Sequence, residues 1–163
     1  MEQNEGLRKF IACTIREYLN ESKSYPFNLN IKEKTDNGFK YNIFYYSFKI
    51  EDIEYECVIY PNAWKVRGKD FDVDFIPKGG TTKDIIGKDL NFMNSVLKTV
   101  AECIIDFINK NEIVRKIRFQ THGVREKAYI RFFKTHNYFS KFEIDDSYEY
   151  SGFVEIHINK GVE

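Results

Sequence analysis

The fold of this chain is decided by residues 71–139, which read FDVDFIPKGGTTKDIIGKDLNFMNSVLKTVAECIIDFINKNEIVRKIRFQTHGVREKAYIRFFKTHNYF. A strand pattern at 71–76 leads through a loop at 77–90, which contains Gly, Lys and Thr, into a long amphipathic helix. A strand at 113–119 and a basic helix at 123–136 follow. We expect elements in this order to form a phosphate-binding notch between two splayed strands.

The composition of the chain predicts one globular domain over residues 1–163. Hydrophobic residues make up 42% and aromatic residues 17%, with 15 Phe and 11 Tyr, which argues against intrinsic disorder and favours β-sheet packing. Lys plus Arg equals Asp plus Glu at 25 each. Overall charge therefore predicts no attraction to nucleic acid or to an anionic membrane.

The first half of the chain predicts one helix and an antiparallel meander. Residues 6–20 carry apolar side chains at helical spacing. Strand patterns follow at 27–33, 39–49 and 53–60, and an Asp-Asn-Gly turn ends the first of them. Near the carboxyl end, two further segments are expected to be closing strands: 140–144 and 152–158.

The predicted fold class is therefore α+β. An N-terminal helix precedes an antiparallel β-meander, and a helix, strand, helix and strand then close a mixed twisted sheet. The cysteines Cys13, Cys57 and Cys103 are far apart and lack CxxC spacing, which predicts reduced buried thiols and a cytoplasmic location. No run of about 18 apolar residues is present, so no membrane association or secretion is expected.

Residues 117–138, IRFQTHGVREKAYIRFFKTHNY, resemble the strand and following helix of the GNAT acetyltransferase superfamily. In that superfamily the helix ends in a Tyr-x-x-x-Gly-Phe pattern. Here Phe133 stands where the frequent general-acid tyrosine would sit, and Asn137-Tyr138 replaces Gly-Phe. The resemblance covers roughly the last 90 residues and implies an acyl-CoA cleft. The first half departs from the superfamily plan, because the helices expected between its first two strands are missing.

Residues 95–129 also resemble small uncharacterised proteins of tailed phages and bacterial genomes. The similarity lies in three fragments, SVLKTVAECIIDFI, IRF and REKAY. Those proteins have the same half-GNAT layout, so this resemblance implies the same carboxyl-terminal architecture.

A bound acyl-CoA needs backbone N–H groups at a helix amino end to hold its pyrophosphate. The candidates for this role are Gly87, Lys88 and Asn91. The contiguous Gln/Arg-x-x-Gly-x-Gly/Ala loop of the superfamily is absent, so a solvated surface loop remains the alternative interpretation.

Acyl transfer to an amine also needs a general base, which is commonly a carboxylate. The predicted catalytic candidates are Glu54, Glu56 and Asp74 on strands, with Tyr129 as a source of a hydroxyl; Asp72 is less favoured. Each of these carboxylates has an alternating position that would face water in an ordinary sheet. The three histidines lack metal-ligand spacing, and no metal site is predicted.

A local basic cluster is the candidate partner-binding surface, and it comprises Arg115, Lys116 and Arg118 followed by Arg125, Lys127, Arg131 and Lys134. Helical spacing places Lys127, Arg131 and Lys134 on one helix face, where they could meet phosphates or an acidic protein. Arg125 belongs to the same helix. A protein partner or self-association is expected, with acids in the 143–149 stretch as counter-charges. A nucleic-acid partner is a third possibility, which zero net charge weakens. A solvated face remains the simpler alternative.

Two functions follow from these patterns. The first is a non-catalytic binding or accessory protein, of phage or mobile-element origin, that uses a degenerate GNAT-like scaffold to engage a macromolecular partner and needs no cofactor. The alternative is a divergent acyl-CoA-dependent N-acetyltransferase that uses acetyl-CoA. The enzyme requires an open cleft between strands 71–76 and 114–119, whereas a binding protein requires an exposed apolar or charged patch.

Overall fold

The computed structural model describes residues 6, 11, 23–62, 69–78, 90–120, 132, 142–145 and 153–158. Seven strands and one long helix lie in this part of the chain. Their bounds are β1 Phe27–Asp36, β2 Phe39–Ile50, β3 Ile53–Pro61, β4 Asp70–Pro77, α1 Leu90–Lys110, β5 Lys116–Gln120, β6 Glu143–Asp145 and β7 Phe153–His157.

Strands β1 to β4 form the predicted antiparallel meander. The β1–β2 hairpin closes between Asp36 and Phe39 through Asn37 and Gly38, whose φ angles are 49° and 81°. Two consecutive left-handed residues give a turn whose twist matches that of the flanking strands, and Asn-Gly is the favoured pair for it. The local sequence therefore determines the register of this hairpin.

The seven strands form one mixed sheet in the order β1-β2-β3-β4-β5-β7-β6. Of the strand pairs in the described residues, β4 and β5 alone are parallel, and α1 lies between them in the chain. A parallel pair needs such a crossover, because a tight turn can join only antiparallel neighbours. The predicted α+β class and mixed sheet are confirmed. The closing strands are also found, with β7 placed between β5 and β6.

The carboxyl-terminal half of α1 packs against one face of this sheet through an aromatic cluster. The fully buried ring of Phe107 meets Phe44 of β2 edge to face at 4.8 Å and Phe71 of β4 at 4.9 Å. Edge-to-face ring pairs add stabilisation beyond their buried area. Phe107 therefore joins the helix to two strands, near the start of β4.

The amino-terminal half of α1 lies over the opposite end of β4. Phe92, in the first turn of the helix, has its ring centroid 6.3 Å from that of Tyr55. Tyr55 pairs in register with Pro77, the last residue of β4. The helix thus runs antiparallel to β4, and its amino end stands where β4 ends.

Two hydrogen-bond clusters tie α1 to the meander. The buried hydroxyl of Thr99 donates to the carbonyl oxygen of Ser95 at 2.8 Å and accepts the backbone N–H of Tyr25 at 3.0 Å. The Tyr46 hydroxyl donates to Asp106 Oδ2 at 2.9 Å. Burial and this bond raise the pKa of Tyr46 above its usual range, so the hydroxyl stays a donor.

Several predictions fall on segments that the structure does not describe. Of the predicted helix at 6–20 only Gly6 and Ile11 are described, and of the predicted helix at 123–136 only Phe132. Both helices therefore remain predictions. Cys57 and Cys103 are buried free thiols as predicted, and burial raises the pKa of each. Within the described ranges, no helix combines the length and apolarity needed to cross a bilayer.

Candidate functional site

Strands β4 and β5 lie side by side for only part of their length. Their parallel register runs from Asp70 opposite Lys116 to Val73 opposite Phe119. Strand β4 continues to Pro77 and stays paired with β3 along the way. In the described structure their pairing therefore ends after Val73, where β4 runs on to Pro77 and the described part of β5 ends at Gln120; we call this end of the parallel pair the fork.

The amino end of α1 lies beside this fork. A helix amino end carries unpaired N–H groups and a partial positive charge. Two asparagines in its first turns have buried atoms without a hydrogen-bond partner in the described structure, Asn91 Oδ1 and Asn94 Nδ2. Asn94 is only 4% exposed. An unsatisfied buried amide costs about 1–3 kcal/mol, and a bound ligand is one way to satisfy it.

The sheet face opposite α1 carries a row of polar side chains across four strands. The strand registers place Tyr60, Asp72, Arg118 and Glu155 beside one another in that order. Arg118 Nε donates to Asp72 Oδ1 at 2.8 Å and Arg118 Nη2 donates to Oδ2 at 3.1 Å. Hydrogen bonding to Asp72 raises the pKa of Arg118. This bidentate pair joins β4 to β5 one residue before the fork.

Asp74 is the first residue of β4 beyond its pairing with β5, and its side chain is half-buried on this polar face. The Tyr60 hydroxyl donates to Asp74 Oδ2 at 2.8 Å. Burial, followed by the bond to Asp74, raises the pKa of Tyr60 above its usual range. Tyr60 therefore acts as a hydrogen-bond donor at neutral pH, and it holds the Asp74 carboxyl at the fork.

Glu155, the last residue of this row, contacts two further basic side chains. Its Oε2 lies 3.1 Å from Lys116 Nζ and 3.0 Å from His157 Nε2, and its side chain is 12% exposed. Lys116 and Arg118 thus have counter-charges inside the sheet, on Glu155 and Asp72. The sequence prediction had looked for these counter-charges in the 143–149 stretch.

The structure brings only some of the predicted site residues together. Asp74 lies at the fork, Glu56 is half-buried on the same polar face opposite Ile76, and Asn91 is in the first turn of α1. The other predicted site residues lie outside the described residues: Gly87, Lys88, Tyr129, Arg125, Lys127, Arg131 and Lys134.

Sequence reasoning missed two members of the site, Asn94 and Tyr60. Asn94 lies near the start of α1, and its burial places a polar atom on the buried face of the helix. Tyr60 alternates with buried Ile59 in β3, so its face was predictable. Its bond to Asp74 depends on the β3–β4 register, which the sequence does not specify.

The Asp72–Arg118 pair is expected to hold the two strands together at the base of the fork. Arg118→Met should lower the free energy of unfolding by about 1–2 kcal/mol, because it leaves a half-buried carboxylate without its cation. Urea unfolding of Arg118→Met, Asp72→Asn and the double variant measures the coupling. The exposed Lys40–Glu33 pair is the matched control, with no measurable coupling expected. Equal coupling in both pairs would contradict the assigned role.

Comparison with protein-family models, with curated proteins and with solved structures finds no match to this chain. Function must therefore be argued from the fork, the amino end of α1 and the polar face of the sheet.

Proposed function

We propose that this protein binds an acyl-CoA at the fork between β4 and β5 and transfers the acyl group to an amine, as a divergent N-acetyltransferase. The observation that carries the proposal is the end of β4–β5 pairing after Val73, beside the amino end of the crossover helix. This is the arrangement that the GNAT resemblance of the chain implies. The proposal requires that a cleft open between the two strands at this point.

The cofactor fits the fork by its chemistry. The CoA pyrophosphate is an anion, which a helix amino end attracts. The pantetheine arm is extended and carries two amide groups, so it can lie between separating strands as a short peptide strand would. The buried amides of Asn91 and Asn94 supply further polar atoms on the α1 side.

The acceptor side of the reaction is assigned to the polar face. The acyl thioester supplies an electrophilic carbonyl carbon and a thiolate leaving group. Attack by the amine forms the C–N bond and breaks the C–S bond. Asp74 is placed to accept the proton that the amine loses, and the departing sulfur takes up a proton. The Tyr60 hydroxyl fixes the position of the Asp74 carboxyl.

A second candidate function is the non-catalytic binding protein. It is favoured by the contacts that already engage the carboxylates near the fork. Asp72 is bound by both nitrogens of Arg118, and Asp74 Oδ2 is bound by Tyr60. Such bonds suit a structural role, and a scaffold of this kind could hold CoA, or a protein partner, without turnover.

The proposal is tested by isothermal titration of the protein with acetyl-CoA and with CoA. We expect micromolar binding by the wild type and at least about tenfold weaker binding by Asn94→Leu, equivalent to about 1.4 kcal/mol. Leucine has a similar volume and removes a buried amide nitrogen that lacks a partner in the described structure. The variant should therefore be at least as stable as the wild type in thermal unfolding.

Asn111→Leu is the matched control at the other end of the helix. The Asn111 side-chain amide donates to the carbonyl of Phe107 at 2.8 Å, so its loss should cost stability and leave CoA affinity unchanged. No heat of binding from the folded wild type would refute the CoA site. Binding without acyl transfer to a panel of polyamines, lysine peptides and arylamines would favour the second candidate.

A further inference from the structure

Strand β1 forms one edge of the sheet. It pairs only with β2 in the described structure, and the segment 30–36 is exposed along its whole length. Ile31, in the middle of the strand, is 50% exposed. A long exposed edge is a ready template for another strand, because its outward N–H and C=O groups lack partners.

The hairpin turn determines which backbone groups point outward. A two-residue turn makes Asp36 and Phe39 a hydrogen-bonded pair, and such pairs recur at every second residue. The even-numbered residues of β1 therefore bond to β2. The odd-numbered residues, Leu29, Ile31, Glu33 and Thr35, direct their N–H and C=O groups away from the sheet.

A second β1 strand can use these groups only in certain antiparallel registers. A two-fold axis perpendicular to the sheet brings residues of equal parity opposite one another. If the axis passes through Lys32, the two lysines lie opposite each other with their Cα atoms about 4.5 Å apart. If it passes through Glu33, the two glutamates lie opposite each other. Both registers are unfavourable because they place like charges together.

The register centred on Ile31 avoids both clashes and uses the longest stretch of strand among the acceptable ones. It pairs Ile31 with its own copy, Leu29 with Glu33, and Phe27 with Thr35, all as hydrogen-bonded pairs. On the other sheet face, Lys32 and Lys34 oppose asparagines of the second copy. The Lys32 ammonium lies over the Tyr45 ring, with Nζ 4.7 Å from the ring centroid. In this position it does not block the approach of a second strand to the edge.

From this combination of edge and charge pattern we infer that the chain forms a symmetric dimer through β1, in antiparallel register centred on Ile31. The sheet then continues from one copy into the other. The exposed Ile31 side chains bury each other at the axis. The interface lies at the opposite side of the meander from the fork, so each copy keeps its own fork.

The inference is tested by sedimentation equilibrium of the full chain from about 1 µM to about 200 µM, a range that covers weak strand pairing. We expect the wild type to approach twice its monomer mass of 19.4 kDa. Ile31→Lys places two ammonium groups opposite each other and should weaken dimerisation at least tenfold. The same change at Ile113, which is 61% exposed outside the strands, should have no effect.

A mixture of variants tests the register itself. Ile31→Lys and Ile31→Glu should each be monomeric alone, because like charges meet at the axis, but should form a heterodimer when mixed. A wild type that stays monomeric throughout the concentration range would overturn the inference. So would an Ile31→Lys variant that dimerises as well as the wild type, or a mixture that shows no recovery.

Discussion

Replacing Asp74 by asparagine is expected to slow acyl transfer by about 100- to 10,000-fold, the usual contribution of a general base. Asparagine keeps the size of the side chain and one oxygen that can accept from Tyr60, but it cannot take the proton of the amine. CoA affinity should be unchanged, because the proposed pyrophosphate site is on the α1 side, away from the Asp74 carboxyl. The measurement is release of CoA thiol from acetyl-CoA with the best acceptor of the amine panel, followed for wild type and variant.

Two further variants test whether the loss of turnover is specific to the carboxylate at position 74. Asp36→Asn changes an exposed carboxylate at the β1–β2 turn and should leave turnover unaltered. Tyr60→Phe keeps the carboxyl and removes the bond that positions it, so we expect a smaller loss, of about tenfold or less. If Asp74→Asn retains full turnover, Asp74 is not the base, and Glu56 becomes the next carboxylate to examine.

Much of the fold was predictable because local chemistry determines it. The Asn-Gly turn, strand alternation and the apolar spacing of α1 specify the hairpin, the strands and the helix without reference to distant residues. The insertion of β7 between β5 and β6 was not predictable. Strand order depends on contacts between segments far apart in the chain, and alternation is the same in every order.

In the candidate site, too, local features were predictable and long-range contacts were not. Alternation along β4 predicted that Asp72 and Asp74 share one face, opposite the buried Val73. It could not reveal that Arg118, 46 residues away, would stand opposite Asp72, because this depends on the parallel register. The sequence alone suggests that Arg118 is a surface charge, whereas in the structure it forms a partly buried ion pair with Asp72. The order of the elements predicted a notch between these two strands, but the residue at which their pairing stops is not specified by single-sequence patterns.

The proposed CoA site and the proposed dimer interface are independent of each other. Strand β1 is separated from the β4–β5 fork by β2 and β3, so a monomeric variant at Ile31 should bind CoA as the wild type does. Conversely, Asn94→Leu should dimerise normally. Failure of one proposal therefore leaves the other standing, and the same purified variants serve both tests.

Phe107→Ala is expected to lower the free energy of unfolding by about 3–5 kcal/mol, the range for a fully buried phenylalanine. The ring is 0% exposed and makes edge-to-face contacts with Phe44 and Phe71, so its loss opens a cavity between α1 and two strands. Urea unfolding followed by far-ultraviolet circular dichroism measures the change.

Since a loss of this size can abolish folding in a protein of ordinary stability, Phe107→Leu provides a graded test. Leucine fills part of the space, and we expect it to be less stable than the wild type and more stable than Phe107→Ala. The control is Ile113→Ala, an apolar truncation at a residue that is 61% exposed, where little change is expected. Similar losses of stability at 107 and 113 would contradict the burial of the Phe107 ring in this contact. A large difference between them is expected because the Phe107 ring packs between α1 and strands β2 and β4, whereas Ile113 is mostly exposed.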